Sequence, residues 1–335
     1  MKQFFLSIIA LTIGVCSVSA VSNNYVEIVF NGSSATVTVA NNIKNYVTVS
    51  SGTSSHVVIT QNASFAGVNS TTSNPDGEIF YSLKGTSTNG GFYLEGAYKC
   101  TIELNGLTLT NTSGPAINIQ NGKRVSVSVK SGTTNTIADG ANDTYNGCFH
   151  CKGHTKFKGK GTLNVTGNSK HAIYSKEYIE IKNLTLNVNA ATKDGIHCKE
   201  YFLMESGTVN IKNVGDDGIQ VEQDTSTGSV ITGVTTDHED ENSGNFYMTG
   251  GTLNISNYTA SAVKADGTAA SFTGGTRNFT DANVIINADI NSIAVDETPK
   301  TVFDLNGRQL PSDATLRRGI YIVKGSQKNK KVIIK

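Results

Sequence analysis

The chain has no tryptophan, and only four prolines and three methionines among 335 residues; charged side chains make up just 16% of it. Those charges almost cancel, leaving a formal net charge of +1. So flat a balance argues against a chain built around a basic nucleic-acid surface or a basic membrane-binding face. No nucleotide motif appears either, since Gly90-Gly91 and Gly250-Gly251 fall in turns without the strand and helix context of a phosphate loop. Helical spacing of apolar residues is also missing. In its place are short alternating apolar runs set among Asn, Thr, Ser and 34 glycines, a mixture that suits exposed strands and tight turns and not helix bundles.

The longest apolar run is at the start. Lys2, the stretch Phe4 to Val15 and the small residues Val18-Ser19-Ala20 read as a secretory signal peptide over residues 1–20, with Val21 as the first mature residue. The run is too short for a membrane-spanning helix. A lipid-modified Cys16 would want a small residue before it, and Val15 fits that poorly. Loss of the leader leaves Cys100, Cys148, Cys151 and Cys198.

From Lys170 to Gln220 one 23-residue unit is written twice and begun a third time. Ala172-Ile173-Tyr174-Ser175 returns as Gly195-Ile196-His197-Cys198 and as Gly218-Ile219-Gln220-Val221, while Thr185-Leu186-Asn187-Val188 returns as Thr208-Val209-Asn210-Ile211. A fixed period of this kind predicts stacked strand repeats, three strands to each, in a β-solenoid. The expected organisation is a signal peptide at 1–20, an N-terminal β cap with irregular first repeats at 21–95, a parallel β-helix at 96–289 and a short antiparallel β element at 290–335. Leu253 and Ile255 follow Val209 and Ile211 late, which places a polar insertion at about Thr225 to Asn245. Such insertions leave a solenoid as loops, often on its binding face, or are simply solvated.

The period sorts residues into columns. Phe149, Ile173, Ile196, Ile219 and Val263 share one, and Cys151, Ser175, Cys198, Val221 and Ala265 share another two residues on; both point inward. Cys151 and Cys198 are then two repeats apart, roughly 9.6 Å, too far for a disulfide. Cys148-x-x-Cys151-x-x-His154 has the spacing of half a zinc site, but an inward Cys151 favours plain core packing. Asn164, Asn187, Asn210 and Asn254 form a further column, suited to an amide ladder or to a row of sugar contacts.

Two outward columns carry candidate chemistry. His150, Tyr174 and His197 stand beside Lys152, Lys176 and Lys199, about 4.8 Å apart from repeat to repeat. Three stacked ammonium groups repel one another, which a polyanion relieves, and rings offer faces to sugars; lysines on a sheet also serve solubility alone. At the preceding turn Asp194 and Asp217 coincide, with Asp216 adjacent, and stacked carboxylates suit Ca²⁺, although Asp-Gly also caps tight turns without an ion. His171 occupies that position one repeat earlier, where any ladder of ions would stop or change.

The order YSLKGTSTNGGFYL, LNGLTLTN, HAIYSKEYIEI, DGIHC and GDDGIQ resembles a secreted carbohydrate-binding family with a pectate-lyase-like, right-handed parallel β-helix. That resemblance implies a plant-type or acidic, pectin-like polysaccharide as partner, with Ca²⁺ bound along the helix. The last stretch, with Asp304-Leu305-Asn306-Gly307-Arg308, Gly319 to Lys324 and Lys331 to Lys335, resembles the C-terminal sorting domain of type IX secretion substrates. This implies the type IX machinery as a partner and a secreted or outer-surface location. A basic β cap would look similar.

Binding without turnover is the expected activity. A calcium-dependent lyase would need the Asp194 and Asp217 carboxylates to hold the ion and Lys199 as base. A glycoside hydrolase would need a paired acid and nucleophile, and apart from Glu222 and Asp266 no outward carboxylate pair stands out. A β-helix adhesin or structural surface protein remains a third reading.

Overall fold

The computed structural model describes residues 21–223, 244–267, 270–279, 284–285, 301–304, 306–310, 319–324 and 329–334. The expected leader at 1–20 and nearly all of the expected insertion lie outside these residues. Pairing resumes after the insertion with a 44-residue step, as in Asn254 against Asn210.

Among the described residues every regular element is a strand. Each full repeat contributes three. His171–Ser175, Ile179–Lys182 and Thr185–Ala191 are followed by Ile196–Cys198, Tyr201–Met204 and Thr208–Val214, each pairing in parallel with its counterpart. The β-branched and aromatic content of these runs suits a pleated surface covered on one side.

The fold is all-β, but the expected right-handed parallel β-helix is corrected by the sheet topology. The strands form a 16-stranded sheet, in which 13 lie along one continuous path, and a second sheet of ten, a β-sandwich or jelly-roll pattern in place of three separate solenoid faces. The joining element is the 11-residue strand Cys100–Thr110. Its first half, Cys100 to Leu104, pairs with Val125–Val129, and its second half, Thr108 to Thr110, pairs with Thr134–Ala138. One long strand therefore fuses two series of strands that the period alone keeps apart. At the N-terminal side, within the region expected as a β cap with irregular first repeats, the pairs Tyr25–Asn31 with Ser34–Val39 and Val47–Val49 with His56–Gln61 are antiparallel.

The chain divides into two compact units, Met1–Asn287 and Ala288–Lys335. The second contains an antiparallel sheet of Thr301–Phe303, Gly319–Lys324 and Asn329–Ile334. Its Asp304 caps the following turn, with Oδ1 accepting from the backbone N–H groups of Asn306 and Arg308 at 2.9 Å each.

Inward columns fill the core of the first unit. Phe149, Ile173, Ile196, Ile219 and Val263 are aligned and solvent-free, as are Leu163, Leu186, Val209 and Leu253. Each such Ile, Leu or Phe contributes about 1.5–3 kcal/mol on burial. Phe202 stacks on Phe246 with ring centroids 5.0 Å apart. The four described cysteines are buried and unpaired, and Cys151 and Cys198 are separated by Ser175 in register.

Outside the core the asparagine column is an amide ladder. Asn187 Nδ2 donates to Asn164 Oδ1 at 2.8 Å, Asn210 to Asn187 at 2.7 Å, Asn254 to Asn210 at 2.6 Å and Asn278 to Asn254 at 2.7 Å. Replacing the central Asn210 by Ala removes two of these bonds and strands a donor and an acceptor. We expect Asn210→Ala to lower stability by about 1–3 kcal/mol in urea unfolding, and Asn278→Ala, at the exposed end, to cost less; equal costs would contradict the ladder.

Candidate functional site

The strip expected on the outer face of the ten-stranded sheet is built from Gly147–Cys151, His171–Ser175, Ile196–Cys198 and Ile219–Val221. Their register aligns His150, Tyr174, His197 and Gln220, with Asn118 before and Lys264 after. The chain can close on itself here because Gly195 and Gly218 follow the two aspartates. A Cβ at Gly195 would stand 2.7 Å from the Gly218 carbonyl oxygen, and one at Gly218 would stand 2.5 Å from that of Ala262.

The rings meet each other. His150 and Tyr174 are stacked at 5.1 Å and 9°, and Tyr174 and His197 at 5.4 Å and 23°. Tyr145 abuts His150 edge-on at 5.2 Å, and His171 lies 4.5 Å from His197. Tyr174 and His197 are thus buried, 6% and 7% exposed, and the column presents ring edges where open faces were expected. Lys152 and Lys176 are exposed beside it, while Lys199 is half-buried.

Asp194 is the electrostatic centre of the site. It is buried, and its Oδ2 lies 2.8 Å from His197 Nδ1 and 3.1 Å from His171 Nδ1, while Oδ1 accepts from the Asp217 N–H at 3.0 Å. With its amide turned to satisfy both neighbours, Gln220 donates to the same Oδ2 at 3.1 Å and accepts from Lys264 Nζ at 3.1 Å. Burial alone would raise the Asp194 carboxyl; the contacts from His171 and His197 outweigh it and hold the group well below the usual carboxylate range. On the other side of the imidazole, His197 Nε2 lies 3.1 Å from Glu222 Oε2, which also pairs with Lys199 Nζ at 3.0 Å.

His150 and His171 are shifted toward neutrality. Burial, assisted by the nearby Lys170 charge, pushes His150 down to about 4, and burial also lowers His171. His150 Nδ1 accepts from the Asn146 N–H at 3.3 Å, an arrangement that assigns the ring proton to Nε2.

Asp217 behaves unlike Asp194 although both occupy the same repeat position. It too is buried, and its Oδ1 accepts from the Ser261 N–H at 2.8 Å. Burial first, and then the charges of Asp194 and Asp216, push its carboxyl up to about 6. Ligand oxygens of Asp194, Asp216 and Asp217 all lie within 4.8 Å of one another. Both Asp194 oxygens are committed to hydrogen bonds, so Asp216, which is exposed, and Asp217 are the donors with oxygen to offer a cation. An all-oxygen set under like-charge repulsion suits calcium.

Cys148 and Cys151 do not offer thiolates for the zinc reading. Both are fully buried, and burial pushes Cys151 up to about 11 and Cys148 higher than usual. The contact of His171 with Asp194 was legible as a shared repeat column; the reach of His197 back to Asp194 and the covering role of Tyr145 were not. A separate depression of about 420 Å³ lies on the amide ladder, lined by Asn187, Asn210, Asn254, Val188, Ile211 and Lys212.

The family of carbohydrate-binding domain-containing proteins matches residues 66–301. A solved gadolinium-derivative structure of a polysaccharide lyase-like protein from C. thermocellum is similar in fold, with a TM-score of 0.51 and 20% identity, covering 77% of this chain and 98% of that one. No curated protein matches the chain significantly. No helix among the described residues is long and apolar enough to cross a membrane.

A second buried carboxyl, Asp139, is also pushed up to about 6 by burial, with Oδ2 unpartnered. The unfolded reference for both aspartates is about 3.9. Between these values the native chain binds protons that the unfolded chain has released, so the contribution of Asp139 and Asp217 to stability falls as pH rises from about 4 through 6 and then levels. Asp194 acts at lower pH, its contribution being complete above about 4 and lost below it. His150 and His171 oppose the two raised aspartates over the same window, so the readout is a difference from wild type. The double variant Asp139→Asn with Asp217→Asn should gain stability relative to wild type as pH rises from about 4 to about 6 and hold that gain above. Urea midpoints across this range check it, and a gain that does not change with pH would contradict it.

Proposed function

The chain belongs to the family of carbohydrate-binding domain-containing proteins, and on that footing we propose that it is a non-catalytic protein of the cell exterior that holds an acidic, pectin-like polysaccharide. The observation that carries this reading is the aligned column of His150, Tyr174 and His197 with the ammonium edge of Lys152, Lys176 and Lys199 beside it. Equivalent groups recur about every 4.8 Å along one line. A uronate polymer laid along that line meets the exposed Lys152 and Lys176 with its carboxylates, and the ring edges, among them His150 Nε2–H, face its hydroxyls. Because the rings are already stacked on each other, the contact is lateral and polar, and it costs little reordering of the protein.

Calcium is part of this proposal. Asp216 and Asp217 would hold it, and bound there it supplies positive charge that offsets their mutual repulsion. The alternative of a polysaccharide lyase rests on Lys199 as base, and the engagement of Lys199 with Glu222 at 3.0 Å favours a holding role. Export by a signal peptide and the type IX route, with a secreted or outer-surface location, belongs to the same proposal and rests on the terminal sequence motifs.

Affinity electrophoresis through gels containing polygalacturonate or a neutral glucan tests the reading. Retardation should be greater in polygalacturonate, weaken in high salt, and fall about three- to ten-fold in affinity when Lys152 and Lys176 are both changed to Ala. Added calcium should strengthen it, and Asp216→Asn with Asp217→Asn should abolish that increment. Equal retardation by both polymers without salt dependence would refute the acidic ligand, and growth of unsaturated-uronate absorbance on incubation would establish the lyase instead.

A further inference from the structure

His154, Glu177 and Glu200 are spaced 23 residues apart; the strand register sets Glu177 beside Glu200, whereas His154 is opposite Tyr178, so the imidazole reaches the two carboxylates from one residue further along. Each stands just before a strand of the larger sheet: Thr155–Gly159, Ile179–Lys182 and Tyr201–Met204, which pair in parallel in that order. Adjacent strands are about 4.8 Å apart, which puts the first and third backbones roughly 9.6 Å apart. The side chains close that gap. His154 Nε2 lies 3.7 Å from Glu177 Oε2 and 3.7 Å from Glu200 Oε2, and one ligand atom from each residue falls within 4.8 Å of the other two.

Two carboxylates on neighbouring strands would relax their repulsion by turning apart, and these turn together. They are not at the open surface, their side chains being 28% and 14% exposed against 22% for His154. The imidazole is braced from behind: its ring lies 4.4 Å from that of Tyr178, which stacks on Tyr201 at 4.6 Å. Tyr178, Tyr201 and Leu203 form a small apolar cluster of their own, separate from the main core.

We propose that His154, Glu177 and Glu200 form a binding site for a divalent transition cation of the zinc type, which ties three consecutive repeats together. One imidazole nitrogen and two carboxylate oxygens are a donor set that zinc-like ions accept, whereas calcium takes oxygen ligands. Ligand atoms about 2.0–2.1 Å from a tetrahedral zinc stand roughly 3.4 Å from one another. The two 3.7 Å spacings from His154 therefore need a closure of a few tenths of an ångström, and the Glu177 and Glu200 oxygens, within 4.8 Å of each other, close by side-chain rotation. The fourth position is left for water. The site shares no residue with the Asp194 network or the proposed calcium donors, and its existence is independent of which polysaccharide the chain holds.

Zinc chloride titrated calorimetrically into the full chain tests the proposal, with cobalt(II) absorption as a second readout of a nitrogen and oxygen donor set. The expected result is one strong zinc per chain. Its affinity falls at least about tenfold in His154→Ala and in Glu177→Gln with Glu200→Gln, and it persists in His171→Ala. Zinc, and not calcium, should raise the melting temperature of the wild type and of His171→Ala but not of the glutamine variant, whose circular dichroism verifies that it folds. Zinc binding that is unchanged in the glutamine variant, that is lost in His171→Ala instead, or that is absent from the wild type would overturn the proposal.

Discussion

The parallel backbone ladder between equivalent strands is the constraint on which the rest of the molecule depends. Once Ile173 is opposite Ile196 and Ile196 opposite Ile219, every side chain acquires a neighbour from the same repeat position about 4.8 Å away. Apolar columns benefit at once, because identical residues pack in identical environments. Polar and charged columns must each solve the same problem of a group facing its own copy. The asparagines do so because an amide is both donor and acceptor.

Charged columns reach different solutions in neighbouring repeats. At the turn position, His171, Asp194 and Asp217 follow one another. Asp194 gains two imidazoles and a backbone N–H, and stays ionised. Asp217, one repeat later, is buried with Asp194 in the preceding repeat and Asp216 beside it in the chain, and its pKa rises. The local motif, Asp-Gly-Ile, is the same in both. The electrostatic character of each copy is set by what the adjacent repeats place above and below it, which gives a near-perfect repeat sites of unlike chemistry.

Much of this was legible in the sequence. The period placed Phe149, Ile173, Cys151 and Cys198 in the interior, aligned His150 with Tyr174 and His197, and brought the asparagines into one row. The way in which the strand series join was not legible, because a period gives spacing along the chain and is silent about a strand such as Cys100–Thr110 that is long enough to pair with two series. Side-chain direction was equally hidden. Nothing in the spacing says that Tyr174 lies flat against both histidines, that His197 turns back to Asp194, or that His154 leans across two strands to Glu200.

The amide ladder has a direction. Each Nδ2 donates toward the preceding repeat and each Oδ1 accepts from the following one, from Asn164 to Asn278. The side-chain dipoles therefore add head to tail, and polarisation along such a chain strengthens its members. The row carries a partial positive pole at Asn164, whose Nδ2 donates to Thr136 Oγ1 at 3.3 Å, and a partial negative pole at Asn278. Repeats that look interchangeable as text are thus ordered by polarity: an asparagine added to the row joins it by turning its amide to face the same way.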